Sequence, residues 1–269
     1  MLRDITLGQY YPGNSWIHRL DPRVKIIATF IFIIELFIIN NFLGYLIAVA
    51  FLVVTIFVAK IPPKFIFKGL KPIILIILFT FSINIFMTKG TVIFALGFLQ
   101  VTREGLYQAI FMGSRLILLI VGSSLLTLAT KPINLTDGIE KLLNPLKKMG
   151  LPAHELAMMM TIALRFIPTL LEETDKIMKA QMARGADFES GNLINRAKSL
   201  IPLLVPLFIS AFRIAQDLAM AMEARCYRGG DNRTRMNGMK LKGMDIIATV
   251  IVLLVLGGII LQSNTWIIA

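Results

Sequence analysis

Two arginines occupy matching places in the sequence, and both are suited to a specific contact with another protein. One lies in the segment Gln181–Gly185 (QMARG), and the other lies in Met222–Cys226 (MEARC). A planar guanidinium donates two parallel hydrogen bonds to a carboxylate, which suits Arg184 and Arg225 to docking on a partner. A basic residue also complements the dipole at a helix end, where a following glycine forms the cap. The residue types leave both interpretations open for Ala183, Arg184, Gly185, Ala224, Arg225 and Cys226.

Two further ionisable residues fall inside long apolar stretches of the sequence. Glu35 lies in the first of these stretches and Arg115 lies in the fourth. Charged residues within a membrane are commonly paired and functional, so we predict a candidate intramembrane pair of Glu35 and Arg115. For Glu35 and Arg115 we favour a purely structural contact, or a side chain that faces water, over a role in an ion pathway.

Residues for other chemistry are scarce. The chain has one cysteine and two histidines, which leaves little for a zinc site. The segment HELAM, which starts at His154, has Met158 where an HExxH motif needs its second histidine. The sequence contains no GxxxxGK[ST] phosphate loop, so any ATPase must be another chain. We therefore expect no metal site, no catalytic residue and no cofactor in this chain.

The amino-acid composition indicates whether the protein is soluble or lies in a membrane. Of the 269 residues, 56% are hydrophobic and 16% are charged, and the mean hydropathy is +0.75. Soluble domains average roughly 45–50% apolar and about 25% charged residues. A soluble globule of this size has no interior large enough for so much apolar surface. The composition argues against a soluble enzyme and predicts a protein of the lipid bilayer.

Five apolar stretches predict membrane-spanning helices, which need about 20 residues each. These stretches are Ile26–Asn40, Phe42–Ala59, Pro72–Met87, Leu106–Ala129 and Met244–Leu261. The first and third are slightly short, so we expect them to recruit flanking residues. A further stretch, Val92–Leu99, is too short to cross and predicts a re-entrant or interfacial segment.

Basic residues alternate between the connections and predict an orientation. The connection between the second and third stretches contains Lys60, Lys64, Lys68 and Lys71, and most remaining basic residues lie between Lys131 and Lys242. Lys and Arg collect in cytoplasmic loops, so we predict a cytoplasmic N-terminus and an external C-terminus. The net charge of +12 is thus a topology signal, and we expect no nucleic-acid partner.

The long connection after the fourth stretch has apolar residues at helical spacing, which is typical of amphipathic helices. We predict three of them: one near Leu135–Met149 with a cap around Thr136, one that starts after Pro152 and runs to about Arg184, and one from about Leu193 to Tyr227. The fold class is therefore an all-α polytopic membrane protein with about five spans and a cytoplasmic region of long helices. The predicted divisions are residues 1–130, 131–243 and 244–269.

The sequence resembles the transmembrane T component (EcfT, CbiQ-like) of energy-coupling factor transporters, ABC-type importers for vitamins and transition-metal ions. Three features carry the resemblance: the segment SWIHRLDPRVK at Ser15–Lys25, the segment LRFIP at Leu164–Pro168, and the two Ala-Arg segments. They occur in the same order over nearly the whole chain. The second Ala-Arg segment has Cys226 where the first has Gly185.

The resemblance implies a scaffold that transmits ATP-driven movement during vitamin or metal-ion uptake. It implies that Arg184 and Arg225 dock into two cytoplasmic ABC-type ATPase subunits, which bind ATP and Mg. It also implies a separate substrate-binding membrane S component and a place in the cell membrane of a prokaryote. The alternatives are a self-sufficient secondary transporter or channel and a membrane enzyme that acts on lipid.

Overall fold

The computed structural model describes residues 10–96, 99–188, 194, 198–230 and 238–267, and these residues are predominantly helical. The chain is an all-α polytopic membrane protein, which confirms the predicted fold class. Its described helices are α1 (Pro22–Ile38), α2 (Phe42–Ala59), α3 (Pro63–Leu70), α4 (Ile74–Met87), α5 (Arg103–Ala129), α6 (Pro132–Leu143), α7 (Ala153–Ala183), α8 (Ile201–Ala224) and α9 (Gly243–Ile267). Short 3-10 turns at Lys71–Ile73 and Asn144–Met149 follow α3 and α6.

Six helices in the described part of the chain are long and apolar enough to cross a membrane. They are α2, the continuous segment Pro63–Met87, α5, α7, α8 and the part of α9 from Gly243 to Gln262. The helices α7 and α8, which we predict as amphipathic coupling helices, are thus among the six. The first helix, α1, has 17 residues, so it is slightly short of the roughly 20 that a span needs.

The structure extends one local prediction as expected, adds detail to a second and contradicts a third. The third stretch extends back to Pro63, because Lys64 and Lys68 lower its hydropathy without interrupting a helix. The segment predicted as re-entrant or interfacial belongs to an antiparallel pair of strands, β1 (Val92–Leu96) and β2 (Leu99–Thr102), in which Val92 faces Thr102. Thr136 is not a cap, since α6 begins at Pro132 and the Thr136 hydroxyl donates to the Ile133 carbonyl.

The chain divides into two compact units. The larger unit comprises the described residues within 10–138 and 239–267, and the smaller unit comprises the described residues within 139–238. In the larger unit, α1 packs against α5 and α9, and α2 packs against α5 and α9. The core of that unit includes Phe32, Leu36, Leu128 and Ile259, all nearly inaccessible to solvent. The larger unit therefore closes its apolar interior largely by itself.

The smaller unit is built around a pair of long helices that bury little. The helices α7 and α8 pack against each other, yet their buried residues are few: Ala153 and Ala157 on α7 and Leu203 on α8. A proline lies inside each helix, Pro168 in α7 and Pro206 in α8. Large apolar side chains of α8, including Phe208, Ile209 and Phe212, remain exposed within the chain.

Candidate functional site

The two Ala-Arg segments end the two long helices of the smaller unit with nearly the same backbone. We call residues 181–186 the Arg184 ending and residues 222–227 the Arg225 ending. Arg184 has φ −87° and ψ 5°, and Arg225 has φ −93° and ψ 12°. The residue after each arginine is left-handed, with φ of 90° at Gly185 and 53° at Cys226. The cysteine thus adopts a conformation that glycine adopts more readily.

The hydrogen bonds of the two endings also match. In the Arg184 ending, the Gly185 N–H donates to the Met182 carbonyl (2.9 Å) and the Ala186 N–H donates to the Gln181 carbonyl (3.0 Å). These two bonds form a Schellman motif, which satisfies the last carbonyls of a helix.

The Arg225 ending repeats both bonds. The Cys226 N–H donates to the Glu223 carbonyl (2.8 Å) and the Tyr227 N–H donates to the Met222 carbonyl (3.0 Å). The cap interpretation of the sequence is therefore correct for both arginines, and it leaves their side chains available for a second role.

Both arginines are open to a partner. All six residues predicted for docking are exposed, namely Ala183, Arg184, Gly185, Ala224, Arg225 and Cys226. Within the described part of the chain, neither guanidinium makes a hydrogen bond or an ion pair. Each arginine retains its five N–H donors, so each can bind a carboxylate with two parallel bonds.

The two endings lie at opposite ends of an antiparallel helix pair. Near the end of α7, the Gln181 side-chain amide donates to the Pro202 carbonyl at the start of α8 (3.4 Å). Near the start of α7, the Met158 sulfur accepts from the Tyr227 hydroxyl just beyond α8 (3.0 Å). Met158 and Arg184 are 26 residues apart in the sequence, and an α-helix rises ~1.5 Å per residue, so the two endings are about 40 Å apart.

Tyr227, which closes the Arg225 ending, belongs to a cluster of four side chains. We call Glu140, His154, Met158 and Tyr227 the His154 cluster. His154 Nδ1 lies 3.0 Å from Glu140 Oε1, and His154 Nε2 lies 3.3 Å from the Tyr227 hydroxyl. Sequence reasoning considered His154 only as part of a zinc motif and missed this cluster, because 73 residues separate His154 from Tyr227. No group of three potential metal ligands occurs among the described residues.

The predicted pair of Glu35 and Arg115 does not form. The Arg115 guanidinium donates to the Tyr45 hydroxyl (3.0 Å) and to the Ile39 carbonyl (3.2 Å). It also lies over the ring of Phe111, 5.3 Å from the centroid. Glu35 is 1% exposed, and its Oε1 has no hydrogen-bond partner among the described residues. The Arg115 guanidinium is therefore bound by the end of α1, by Tyr45 and by an aromatic ring, and it makes no hydrogen bond or ion pair with Glu35 among the described residues.

The segment that precedes α1 contributes to a buried polar clasp in the larger unit. We define this clasp as Asp21, Lys25 and Asp245. The Asp245 carboxylate accepts from the backbone N–H groups of Asp21 and Lys242, each at 2.7 Å. The Lys25 ammonium donates to the Ala129 carbonyl at the end of α5 (3.0 Å). The clasp thus connects α1, α5 and α9.

His18 fixes the fold of the chain just before the clasp. Its Nε2 lies 3.1 Å from the Tyr11 carbonyl, which only accepts, so Nε2 carries the proton and Nδ1 accepts from the Ser15 hydroxyl (2.7 Å). Burial lowers the pKa of His18 below its usual value of 6.5, although the hydrogen bond to Tyr11 opposes this change. The positive charge of Lys25 lowers the pKa further. The neutral ring is the form that this site favours.

Known proteins are similar to this chain over almost its full length. A family model described as cobalt transport protein, CbiQ, matches residues 13–236. A protein of Clostridium kluyveri is 62% identical over 268 residues, which cover 99% of each chain. A protein of Thermosediminibacter oceani is 60% identical over 98% of this chain and 100% of its own length. One of Bacillus subtilis is 53% identical over 94% of this chain and 97% of its own. All three relatives bear the name energy-coupling factor transporter transmembrane protein EcfT.

Proposed function

The chain belongs to the EcfT family of energy-coupling factor transporter transmembrane proteins, and from this premise we propose that it couples two ATPase subunits to a substrate-binding membrane subunit. Nucleotide-driven movement of the ATPases displaces the α7–α8 pair, and this displacement changes the state of the substrate-binding subunit. The transported substrate is a vitamin or a transition-metal ion, which the separate S component binds.

The observation that carries the proposal is the pair of matching endings. Arg184 and Arg225 share one backbone geometry, are exposed, and are separated by the length of the helix pair. Two equivalent docking contacts at such a distance suit two equivalent partner subunits. One small partner does not reach both endings, because about 40 Å of helix lies between them.

The chemistry of arginine identifies what the partners present. A guanidinium forms two parallel bonds with a carboxylate, and an ammonium does not reproduce that geometry. Each ATPase therefore presents an acidic groove that receives one ending. The partners also bind the ATP and Mg, so this chain performs no catalysis of its own.

The distribution of basic residues supports an orientation with the endings in the cytoplasm. Of the predicted divisions, residues 131–243 then form the cytoplasmic coupling region, while residues 1–130 and 244–269 span the membrane. The N-terminus is cytoplasmic, because Lys and Arg collect in cytoplasmic loops. We therefore propose that the α7–α8 pair lies along the cytoplasmic side of the cell membrane without crossing it, so that the ATPases reach both endings from that side.

The proposal is tested by co-purification of the chain with the ATPase pair. Removing one member of a buried interfacial charge pair costs about 2–5 kcal/mol, or roughly 30-fold or more in affinity. We expect Arg184→Glu and Arg225→Glu each to weaken recovery of the ATPases, and the double variant to abolish both recovery and uptake. Lys179→Glu is the matched control, since Lys179 is exposed on α7 and the substitution changes the charge by the same amount.

Two outcomes would contradict the proposal. Wild-type recovery of the ATPases and wild-type uptake by the double variant would show that the endings do not dock. Uptake by vesicles that contain this chain alone, without ATPases, would support a self-sufficient secondary transporter or channel instead.

A further inference from the structure

We propose that His154 and Tyr227 are positioning residues that hold the Arg225 ending in its docking geometry before the ATPase binds. The inference rests on the proposed function, because it concerns one of the two proposed docking contacts. It adds that the two contacts depend on different parts of the chain. The His154 cluster serves Arg225 and leaves Arg184 unaffected.

Tyr227 connects the cap of α8 to the start of α7. Its backbone N–H closes the outer hydrogen bond of the Arg225 ending, to the Met222 carbonyl (3.0 Å). Its hydroxyl donates to the Met158 sulfur (3.0 Å) and lies 3.3 Å from His154 Nε2. The side chain of the residue that closes the cap is therefore attached to a second helix. Arg225 lies two residues earlier, within the same cap.

His154 is itself held on two sides. Its Nδ1 lies 3.0 Å from Glu140 Oε1, and both side chains are largely shielded from solvent, with 26% and 15% of their surface exposed. The chain beyond Tyr227 then passes over the imidazole ring. A Cβ atom placed on Gly230 would overlap that ring, so only a glycine allows the backbone to pass so closely. The turn that brings it there uses a positive φ of 90° at Gly229.

The consequence for docking is preorganisation. Ordering each interfacial side chain when a complex forms weakens that complex, and a contact that is ordered beforehand avoids the loss. For the two side chains and the turn concerned here, the loss on releasing the cluster is about 5- to 10-fold in affinity. Because about 40 Å separates the endings, releasing the cluster has no such effect on the contact of Arg184.

Variants with a single functional ending isolate the effect. On an Arg184→Glu background only the Arg225 ending binds, and on an Arg225→Glu background only the Arg184 ending binds. We expect Tyr227→Phe to weaken binding of the ATPase pair by about 5- to 10-fold on the first background and by less than about 2-fold on the second. The affinity is measured with the full chain in nanodiscs. His154→Ala should show the same selectivity.

A matched control comes from the opposite end of the helix pair. Gln181→Ala removes the bond to Pro202, which also joins α7 to α8. When Gln181→Ala is added to the Arg184→Glu background, the affinity of the Arg225 ending for the ATPase pair should stay within about 2-fold of that of Arg184→Glu alone. Tyr227→Phe removes one hydroxyl only, so it keeps the test valid if His154→Ala fails to fold.

A spin label on Cys226 reports the order of the ending directly. Cys226 is the only cysteine of the chain and is exposed. We expect Tyr227→Phe to increase the mobility of this label in the free chain. The exchanged variant Gly185→Cys with Cys226→Gly carries the label at the equivalent place of the Arg184 ending, and there Tyr227→Phe should leave the mobility unchanged.

The outcomes separate this inference from the proposed function. One outcome is that Arg225→Glu weakens ATPase binding while Tyr227→Phe leaves the affinity unchanged on the Arg184→Glu background. In that case the positioning role is wrong, and the docking of Arg225 is still supported. Equal losses on both backgrounds would reveal general destabilisation and would also overturn it. If Arg225→Glu itself has no effect, docking fails, and the positioning role fails with it.

Discussion

Charged residues serve opposite purposes in the two units of this chain. In the larger unit, Lys25 and Asp245 are 8% and 2% exposed and bond to backbone groups of that unit. In the smaller unit, Arg184 and Arg225 are exposed and make no ion pair within the described residues. A buried charge is costly unless it is satisfied, so the clasp contributes to the fold. An exposed charge at a rigid helix end contributes little to the fold and is available to a partner.

The largest expected effect breaks the clasp. Asp245→Ala leaves the buried N–H group of Asp21 and the partly buried N–H group of Lys242 without their charged acceptor, and each such bond is worth about 1.5–3 kcal/mol. We expect the free energy of unfolding to fall by roughly 3–5 kcal/mol. Arg184→Ala, the matched exposed case, should change it by about 0.5 kcal/mol or less. Thermal unfolding in detergent measures both variants. If Asp245→Ala and Arg184→Ala lowered stability equally, the buried and the exposed charges would not differ in their contribution to the fold.

A smaller effect compares the two endings with each other. Gly185 and Cys226 occupy the same left-handed position, where a side chain costs about 1 kcal/mol. Gly185→Ala should therefore lower the free energy of unfolding by about 1 kcal/mol, and Cys226→Gly should raise it by about 0.5–1 kcal/mol. Differential scanning calorimetry of the purified chain gives the sign of each change in stability. If both variants shift stability in the same direction, the two caps are not equivalent.

The smallest expected effect concerns the segment before α1 and depends on pH. Because the pKa of His18 is lowered in the folded chain, its contribution to stability is complete above about pH 6.5, the pKa in the unfolded chain. That contribution is lost as the pH falls through 6.5 towards the lower folded value. We expect the thermal midpoint of the wild type to fall more than that of His18→Gln between pH 7.5 and pH 5.5. Parallel curves for the two proteins would show that His18 is not responsible.

Local patterns in the sequence predict most of the described helices and several of their ends. The second apolar stretch coincides with α2, and α7 begins and ends where Pro152 and Arg184 indicate. The start of the predicted helix from Leu193 lies largely outside the described residues, while its later part is α8. The third apolar stretch begins at Pro72, and the expected flanking residues extend it back to Pro63, because lysines on a helix lower the mean hydropathy without breaking hydrogen bonds.

Contacts between distant residues are not predictable in the same way. Asp21 and Asp245 are 224 residues apart, and no spacing rule relates them. Similar depths in the membrane made Glu35 and Arg115 a reasonable pair, yet the Tyr45 hydroxyl and the Ile39 carbonyl occupy the guanidinium instead. Depth along a helix follows from the sequence, but the direction in which a side chain points depends on how helices pack.

The length of α7 has a mechanical consequence. A rod of about 40 Å that turns by roughly 10° about one end carries its other end through about 7 Å. Pro168 lies at the middle of α7 and deprives the Leu164 carbonyl of its usual helical donor. A small rotation at one ending would thus produce a large translation at the other as long as α7 stays straight, and the hydrogen bond missing at Pro168 weakens the helix midway between the endings.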